Sequence, residues 1–161
     1  MKNSIENVVT IREATTSDIE TLIEYNYRLA AETEGKELDQ KTLRAGVEGL
    51  LTDPSRGKYL VAEISGRVVG QVMFTREWSD WRNGEFWWLQ SVYVARDVRR
   101  QGILKQLYQA VAKRAQEQTG VVGIRLYVEL ENRVAQTTYE RLGMREAGYS
   151  VMEMLELKVA E

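Results

Sequence analysis

The stretch of residues 85–94 restricts the possible folds more than any other part of this sequence. It reads EFWWLQSVYV, a run that predicts a long β-strand with apolar residues on both faces. Such a strand is stable only where both faces of its sheet are covered, so helices must pack on each side. The segment therefore predicts an α/β domain of the α+β kind, with this strand inside the sheet.

The rest of the chain supplies the other elements of that domain. Alternating polar and apolar residues predict strands, and apolar residues three or four positions apart predict helices. The predicted order is βααβββαβαββ, a mixed, mostly antiparallel central sheet flanked by helices, with one β-α-β crossover. We expect a single domain over residues 1–161, with its core at 8–157. The predicted strands are 8–12, 59–64, 68–77, 85–94, 121–128, 144–147 and 149–157, and the predicted helices begin near Ile19, Asp39, Gln101 and Asn132.

The composition excludes several kinds of chemistry. The 161 residues contain no His and no Cys, which excludes a Ser–His triad, a thiolate nucleophile and the usual zinc or iron–sulfur ligands. We expect no metal site, and an enzyme of this composition must move protons through carboxylates, Tyr, Lys, Ser, Thr or water. The net charge of −2 gives no basic excess for nucleic acid. No apolar run reaches the ~20 residues that cross a membrane, so we expect a cytoplasmic protein with no nucleic-acid or membrane partner.

A basic turn that contains a glycine follows the long strand and leads into a predicted helix. A helix N-terminus presents N–H groups and the positive end of a dipole, which suits a phosphate group, and Gly102 lets the backbone approach it closely. Positive charge comes from Arg96, Arg99, Arg100 and Lys105. The residue types leave a second interpretation equally open, namely an ordinary strand–turn–helix connection with solvated basic side chains.

A second informative stretch lies at residues 132–144. Asn132 is a natural N-cap for a short helix, and Gly143 is a candidate for the position after its C-terminus. Ala135 and Tyr139 are four residues apart, so they share one face of that helix. Taken alone, Tyr139 is better interpreted as a half-buried aromatic residue with a solvated hydroxyl.

In this order, the two stretches resemble the GNAT superfamily of acyl-CoA-dependent N-acetyltransferases. The family's phosphate loop has Arg or Gln, two residues, Gly, one residue, then Gly or Ala. Residues 99–104 are similar to it, except that Leu104 replaces the usual small residue. The stretches 11–15 and 66–70 also look like the family, and the resemblance covers residues 8–157. The downstream family pattern is matched at Asn132, Ala135, Tyr139, Gly143 and Met144.

The resemblance implies a GNAT-like acyl-CoA N-acyltransferase fold, with acetyl-CoA as co-substrate and no metal. It implies that the pyrophosphate of coenzyme A binds the backbone amides of residues 99–104. The pantetheine arm would pair with the long strand, in a gap before the following parallel strand. Asn132 would lie beside this arm. The implied cofactor-binding residues are Val92, Tyr93, Val94, Arg99, Arg100, Gln101, Gly102, Ile103, Leu104, Asn132 and Ala135.

The resemblance also implies transfer of acetyl to a primary amine of a small molecule or peptide. An alkyl thiol has a pKa of about 8.5 and a tyrosine about 10, so Tyr139 is the predicted proton donor to the departing thiolate. Without Cys, an acetyl-cysteine intermediate is impossible, which favours direct transfer in a ternary complex. The predicted base is Glu129, Glu85 or a chain of water molecules. The backbone N–H of Val94 is the candidate donor to the oxyanion.

The acceptor side leaves more alternatives open. All four Trp residues lie between positions 78 and 88, where they either wall an acceptor pocket or fill the core, and we expect at least two in the core. The acidic stretch 32–39 either steers an ammonium group or is a solvated loop. Two other functions are compatible with the sequence: a non-catalytic acyl-CoA-binding regulatory or sensor domain, and an interaction domain with a Trp-rich hairpin. A homodimer through the late strands is a family-level expectation.

Overall fold

The structure is a computed structural model that describes residues 8–155. These residues form two compact units, one ending at Tyr127 and the other beginning at Val128. No helix in the described range is long and apolar enough to cross a membrane. The strands are β1 Val9–Glu13, β2 Gly57–Ile64, β3 Arg67–Ser79, β4 Gly84–Val94 and β5 Val121–Leu126. The helices are α1 Ile19–Glu34, α2 Gln40–Thr52, α3 Ile103–Glu117 and α4 Arg133–Arg141.

The first unit is built on a five-stranded sheet with the strand order β1-β2-β3-β4-β5. The strands β1 to β4 pair antiparallel, and β5 runs parallel to β4 after the α3 crossover. This topology confirms the predicted α/β (α+β) fold class, with a mixed, mostly antiparallel sheet. Because β4 lies between β3 and β5, the strand predicted from its two apolar faces is indeed inside the sheet.

Helices cover both faces of this sheet, as the apolar pattern of β4 requires. Leu107 of α3 is fully buried in a cluster with Leu60 and Phe74. Leu22 of α1 is fully buried in a second cluster with Val61. Leu60 and Val61 are adjacent in β2, so their side chains point to opposite faces of the sheet. Burial of each such side chain contributes roughly 1.5–3 kcal/mol to the free energy of unfolding.

An ion pair joins β1 to the turn that precedes α1. The buried Asp18 carboxylate accepts two hydrogen bonds from the Arg12 guanidinium, at 2.8 and 2.9 Å, and one from the Thr15 N–H at 2.7 Å. The Arg12 hydrogen bond is the main cause that lowers the pKa of Asp18, and burial opposes the shift. The ionised form of Asp18 therefore stabilises the folded chain.

The second unit, described over residues 128–155, contains α4 and no strand. The prediction of closing strands at 144–147 and 149–157 is wrong for the described part of these segments, which ends at Leu155. Residues 156 and 157 lie outside the described range. Tyr149, Val151 and Met152 are exposed. Apolar alternation yields a strand only where a neighbouring strand takes up the backbone N–H and C=O groups. None of the five strands of the described sheet does so for this segment.

Candidate active site

The connection between β4 and α3 has two residues in left-handed backbone conformations just before the helix starts. Arg100 and Gly102 adopt left-handed conformations, with φ values of 66° and 79°. Gly102 is the N-cap of α3, and its carbonyl accepts the Gln106 N–H at 3.1 Å. The first N–H groups of a helix have no intrahelical acceptor, so those that follow Gly102 point out of the helix start. The predicted sequence of strand, basic turn and helix is present in the structure.

The strand β4 has an open edge directly before this turn. Its pairing with β5 ends at Leu89 and Leu126, whereas β4 itself continues to Val94. The Ala95 N–H donates to the Val69 carbonyl of β3 at 2.8 Å. Because successive residues of a strand face opposite edges, the N–H and C=O of Val94 point away from β3. The end of β4 therefore presents backbone groups that β5 does not use.

A bulge separates this open edge from the paired part of β4. The β3–β4 register shifts between Gln71 and Met73, and Ser91 has a φ of 50°. Gln71 is fully buried, and its side-chain amide donates to the Ser91 carbonyl at 3.1 Å. Gln71 thus holds the bulge from β3. It is not among the residues predicted from the sequence, although a single polar residue within the apolar run 68–73 is a signal that could have found it.

Two arginines of the turn bind a carboxylate of α1. Glu32 forms ion pairs with Arg96 at 2.9 Å and with Arg99 at 2.8 Å, and it accepts a hydrogen bond from the Tyr93 hydroxyl at 3.2 Å. Burial opposes the shift, but the hydrogen bonds from Arg99 and Arg96 prevail and lower the pKa of Glu32. Arg99 also donates from Nε to the Val94 carbonyl at 2.8 Å. The turn is therefore tied both to α1 and to the end of β4.

The second unit carries the other predicted site residues on or before α4. The Asn132 side chain accepts the Ala135 N–H at 3.0 Å and is therefore the N-cap of the helix. Gly143 has a φ of 93°, which suits its predicted position after the helix. Tyr139 is half-buried, and desolvation by burial raises the pKa of its phenol to about 12. Tyr139 therefore stays protonated throughout the physiological pH range.

One family model matches most of the chain. The model of the Acetyltransferase (GNAT) family matches residues 20–144. The chain belongs to the GNAT acetyltransferase family. A crystal structure described as a possible acetyltransferase from Clostridium difficile 630 is 47% identical to this GNAT chain. Its TM-score is 0.88, and the match covers 94% of this chain and 99% of that one.

Other solved structures are similar at lower identity. A transcriptional regulator from Bacillus halodurans C-125 is 26% identical, with a TM-score of 0.77 over 91% of this chain and 99% of that chain. A predicted acetyltransferase from Clostridium acetobutylicum, crystallised with acetyl-CoA, is 17% identical, so the match shows only that the two chains share a fold. Its TM-score is 0.76, over 92% of this chain and 97% of that chain. A search of curated proteins found no match.

The predicted cofactor residues of this GNAT chain fall into two sets, one in each compact unit. The first set is Val92, Tyr93, Val94, Arg99, Arg100, Gln101, Gly102, Ile103 and Leu104, and the second set is Asn132 and Ala135. The hydrogen bond from Arg99 to Val94 joins the strand part of the first set to its turn part. The side chains of Tyr93 and Ile103 are buried in the core, so only their backbone groups can contact a ligand.

The candidate bases lie in different surroundings. Glu85 pairs with Val121 at the start of the β4–β5 ladder, and its carboxylate is 3.9 Å from the Arg76 guanidinium. Leu89 lies four positions after Glu85, or about 13 Å along a strand, so Glu85 is remote from the open edge of β4. Glu129 is exposed in the second unit. In the part of the chain that the structure describes, no group of three acidic side chains could hold a metal ion.

The tryptophans do not meet the expectation of two core residues. Trp87 is buried, and Trp88 is half-buried and stacks on Tyr127 with ring centroids 4.4 Å apart. Trp78 and Trp81 are 63% and 87% exposed. One tryptophan rather than two is fully buried, because Trp78 and Trp81 lie at the hairpin turn, at the end of the sheet.

The acidic stretch 32–39 makes contacts within the first unit. Glu32 binds the arginines of the turn, and Glu34 forms an ion pair with Lys36. Asp39 caps α2 by accepting the Thr42 N–H at 2.8 Å. These partners favour a structural role for the stretch over the steering of an ammonium group.

Proposed function

We propose that this GNAT protein transfers the acetyl group of acetyl-CoA to a primary amine of a small molecule or peptide, directly and within a ternary complex. The observation that carries the proposal is the start of helix α3 at the left-handed Gly102, beside the open edge of β4. A ligand with phosphates at one end and amide groups along an arm fits both features. When bound, acetyl-CoA supplies an acyl group that its thioester activates.

The residues of the first unit suit the two parts of this ligand. The N–H groups that follow Gly102 suit the pyrophosphate, and the large side chain of Leu104 leaves its own N–H in place. The Val94 carbonyl already accepts from Arg99 at 2.8 Å, so the Val94 N–H is the group that we assign to the ligand. This N–H would stabilise negative charge that develops on the reacting carbonyl oxygen.

We assign the leaving sulfur to Tyr139 on the strength of the family motif. A phenol with a pKa of about 12 is a weaker acid than an alkyl thiol, whose pKa is about 8.5. Complete proton transfer from Tyr139 to the thiolate is therefore unfavourable at this pKa. Tyr139 would act chiefly by donating a hydrogen bond to the sulfur, with the phenol protonated at every physiological pH.

The amine must lose a proton before it attacks, and two groups remain for this step. The position of Glu85 at the far end of the β4–β5 ladder argues against it. Glu129 or a chain of water molecules would therefore accept the proton. Because the chain has neither Cys nor His, no acetyl-cysteine forms and no imidazole takes part.

A non-catalytic acyl-CoA-binding regulatory domain is the second candidate function. The solved structure from Bacillus halodurans C-125, described as a transcriptional regulator, is 26% identical to this chain. In addition, no carboxylate candidate of the first unit lies at the open edge of β4, since Glu85 is at the opposite end of the ladder. A protein of this kind would bind acetyl-CoA and release no coenzyme A with any amine.

The deciding experiment measures release of coenzyme A from acetyl-CoA across a panel of diamines, amino sugars, amino acids and peptides. A thiol reagent can follow the reaction, because a protein without Cys does not react with it. Acetyl-CoA affinity is measured separately by calorimetry. We expect amine-dependent release together with micromolar binding. Binding without release would support the regulatory alternative, and no binding would exclude both functions.

A matched pair of glycine variants tests the proposed phosphate site. Gly102 and Gly66 share a φ of 79°, and a Cβ at either position meets no atom within 4 Å. Alanine therefore imposes a similar backbone strain at both positions, about 1–2 kcal/mol. We expect Gly102→Ala to weaken acetyl-CoA binding about tenfold and Gly66→Ala to change it less than twofold. Equal effects would show that the turn at Gly102 has no special part in binding.

A further inference from the structure

We infer that Glu32 is a positioning residue for acetyl-CoA binding, because its carboxylate holds Arg96 and Arg99 in the phosphate turn, the β4–α3 connection that we assign to the phosphates. The inference rests on the proposed function, which assigns acetyl-CoA to this turn. It gives one residue of the acidic stretch a role in cofactor affinity rather than in attracting the amine.

The first observation is the geometry around the Glu32 carboxylate. Its two oxygens bind different guanidinium groups, Oε1 the Arg96 Nε at 2.9 Å and Oε2 an Arg99 terminal nitrogen at 2.8 Å. The Glu32 side chain is only 19% exposed, whereas Arg96 is 71% exposed. A carboxylate shielded in this way interacts more strongly with its partners than a fully solvated one does. The Glu32 side chain therefore ties helix α1 to two arginines of the turn.

The second observation is that the Arg99 guanidinium, which binds Glu32, also binds the end of β4. Arg99 donates from Nε to the Val94 carbonyl at 2.8 Å, and its Cζ lies 5.2 Å from the centre of the Tyr93 ring. Glu32 also accepts a hydrogen bond from the Tyr93 hydroxyl. Glu32 and Arg99 thus connect the last residues of β4 to α1, next to the backbone groups that we assign to acetyl-CoA.

The third observation is that the turn itself needs support. Arg100 has a φ of 66°, a left-handed conformation that costs a residue other than glycine roughly 1–2 kcal/mol. Neighbouring contacts must hold such a residue in place. Arg99 precedes it directly, and its side chain binds Val94 of β4 and Glu32 of α1. When Glu32 holds Arg99, the turn needs less ordering on binding, which increases affinity.

The direction in which acetyl-CoA affinity changes when Glu32 is replaced distinguishes a positioning role from a purely electrostatic one. Glu32 is negative and lies beside a site proposed for an anion, so charge alone predicts that its neutralisation strengthens acetyl-CoA binding. A positioning role predicts the opposite, because the freed arginines no longer order the turn. A purely structural role predicts a lower thermal stability with an unchanged affinity of the folded protein.

The test compares Glu32→Gln and Glu32→Asp with Glu34→Gln in the full chain. The Gln variant keeps the size of the side chain and removes its charge, and the Asp variant keeps the charge and shortens the reach. Glu34→Gln is the matched control, since it removes the same charge from the same turn of α1 and breaks an ion pair with Lys36 instead. Calorimetry gives the Kd of acetyl-CoA, and coenzyme A release gives kcat and KM.

We expect both Glu32 variants to raise the Kd and KM of acetyl-CoA about fivefold, with kcat within twofold of the wild type. Glu34→Gln should leave the Kd within twofold. In an Arg99→Gln background, Glu32→Gln should add less than a further twofold, because its effect acts through Arg99.

Tighter or unchanged binding in Glu32→Gln and Glu32→Asp, with wild-type protein that binds acetyl-CoA, would overturn the inference and leave the proposed function intact. Equal weakening in Glu34→Gln would also overturn it. A wild-type protein that binds no acetyl-CoA would remove the proposed function, and the role of Glu32 with it.

Discussion

The two compact units hold their motif residues by different means. In the first unit, the turn between β4 and α3 is tied to residues far away in the sequence, such as Glu32, which is 67 positions before Arg99. In the second unit, Asn132 binds Ala135, three positions on. No residue of 128–155 is fully buried, whereas α3 in the first unit buries four of its residues. The difference shows that a strong sequence motif need not coincide with a well-packed core.

The largest expected difference between the units is in stability. Leu107 is fully buried in the first unit, and Val134 is 81% exposed in the second. We expect Leu107→Ala to lower the free energy of unfolding by about 2–5 kcal/mol, because it leaves a cavity in the core. Val134→Ala should change it by less than about 0.5 kcal/mol. Urea unfolding measures both values, and similar losses would contradict the contrast between the units.

The catalytic role that we propose for Tyr139 of the second unit can be tested directly. Because Phe cannot donate a hydrogen bond to the leaving sulfur, we expect Tyr139→Phe to lower kcat about 100-fold and to leave the Kd of acetyl-CoA within twofold. Tyr108→Phe is the control, since Tyr108 lies on α3 and its hydroxyl has no part in the proposed chemistry. Coenzyme A release with the best amine measures kcat. A Tyr139→Phe variant with wild-type kcat would refute the assignment of this residue.

Replacing one carboxylate in each unit should give a smaller difference in the free energy of unfolding. The Asp18 side chain is 6% exposed and bound to Arg12, whereas Glu129 is exposed. We expect Asp18→Asn to lower the free energy of unfolding at pH 7 by about 2 kcal/mol, because it removes the more buried of the two carboxylates that bind Arg12. Glu129→Gln should change it by less than about 0.5 kcal/mol. Chemical denaturation at pH 7 measures both.

The same Asp18 variant tests a pH dependence. In the folded wild-type chain, the hydrogen bond from Arg12 lowers the pKa of Asp18 below its unfolded value of about 3.9. The resulting stabilisation is fully present above the unfolded pKa and is lost as the pH falls through the folded pKa. Wild-type protein should therefore lose more stability between pH 7 and pH 2 than Asp18→Asn does. Parallel stability curves would contradict this account.

The smallest effect concerns two helix caps of the same kind. Asn132 and Asp39 both accept an N–H three residues on, at 3.0 and 2.8 Å. Either Ala variant should weaken its helix by about 1 kcal/mol. If Asn132 also contacts the pantetheine arm, Asn132→Ala raises the KM of acetyl-CoA, whereas Asp39→Ala leaves it within twofold. Steady-state kinetics with varied acetyl-CoA distinguishes a cap from a cofactor residue.

Much of the fold could be predicted because it depends on local patterns. The two apolar faces of 85–94 predicted a covered strand, and β4 lies inside a sheet with helices on both faces. The glycine at 102 predicted the turn, and its φ of 79° agrees. The prediction of closing strands was wrong because a strand forms only beside a partner strand. The alternation of apolar and polar residues at 149–155 does not supply that partner.

The sequence by itself determined the family, the order of elements as far as α4 and the turn that precedes α3, because each depends on residues that are close together along the chain. Only the tertiary structure decided which polar side chains support the site. Gln71 holds the bulge at Ser91 from 20 positions away, and Glu32 reaches the arginines of the turn across more than 60 residues. A hydrogen bond depends on distance and angle in space, and no local pattern of residue types specifies these between distant segments.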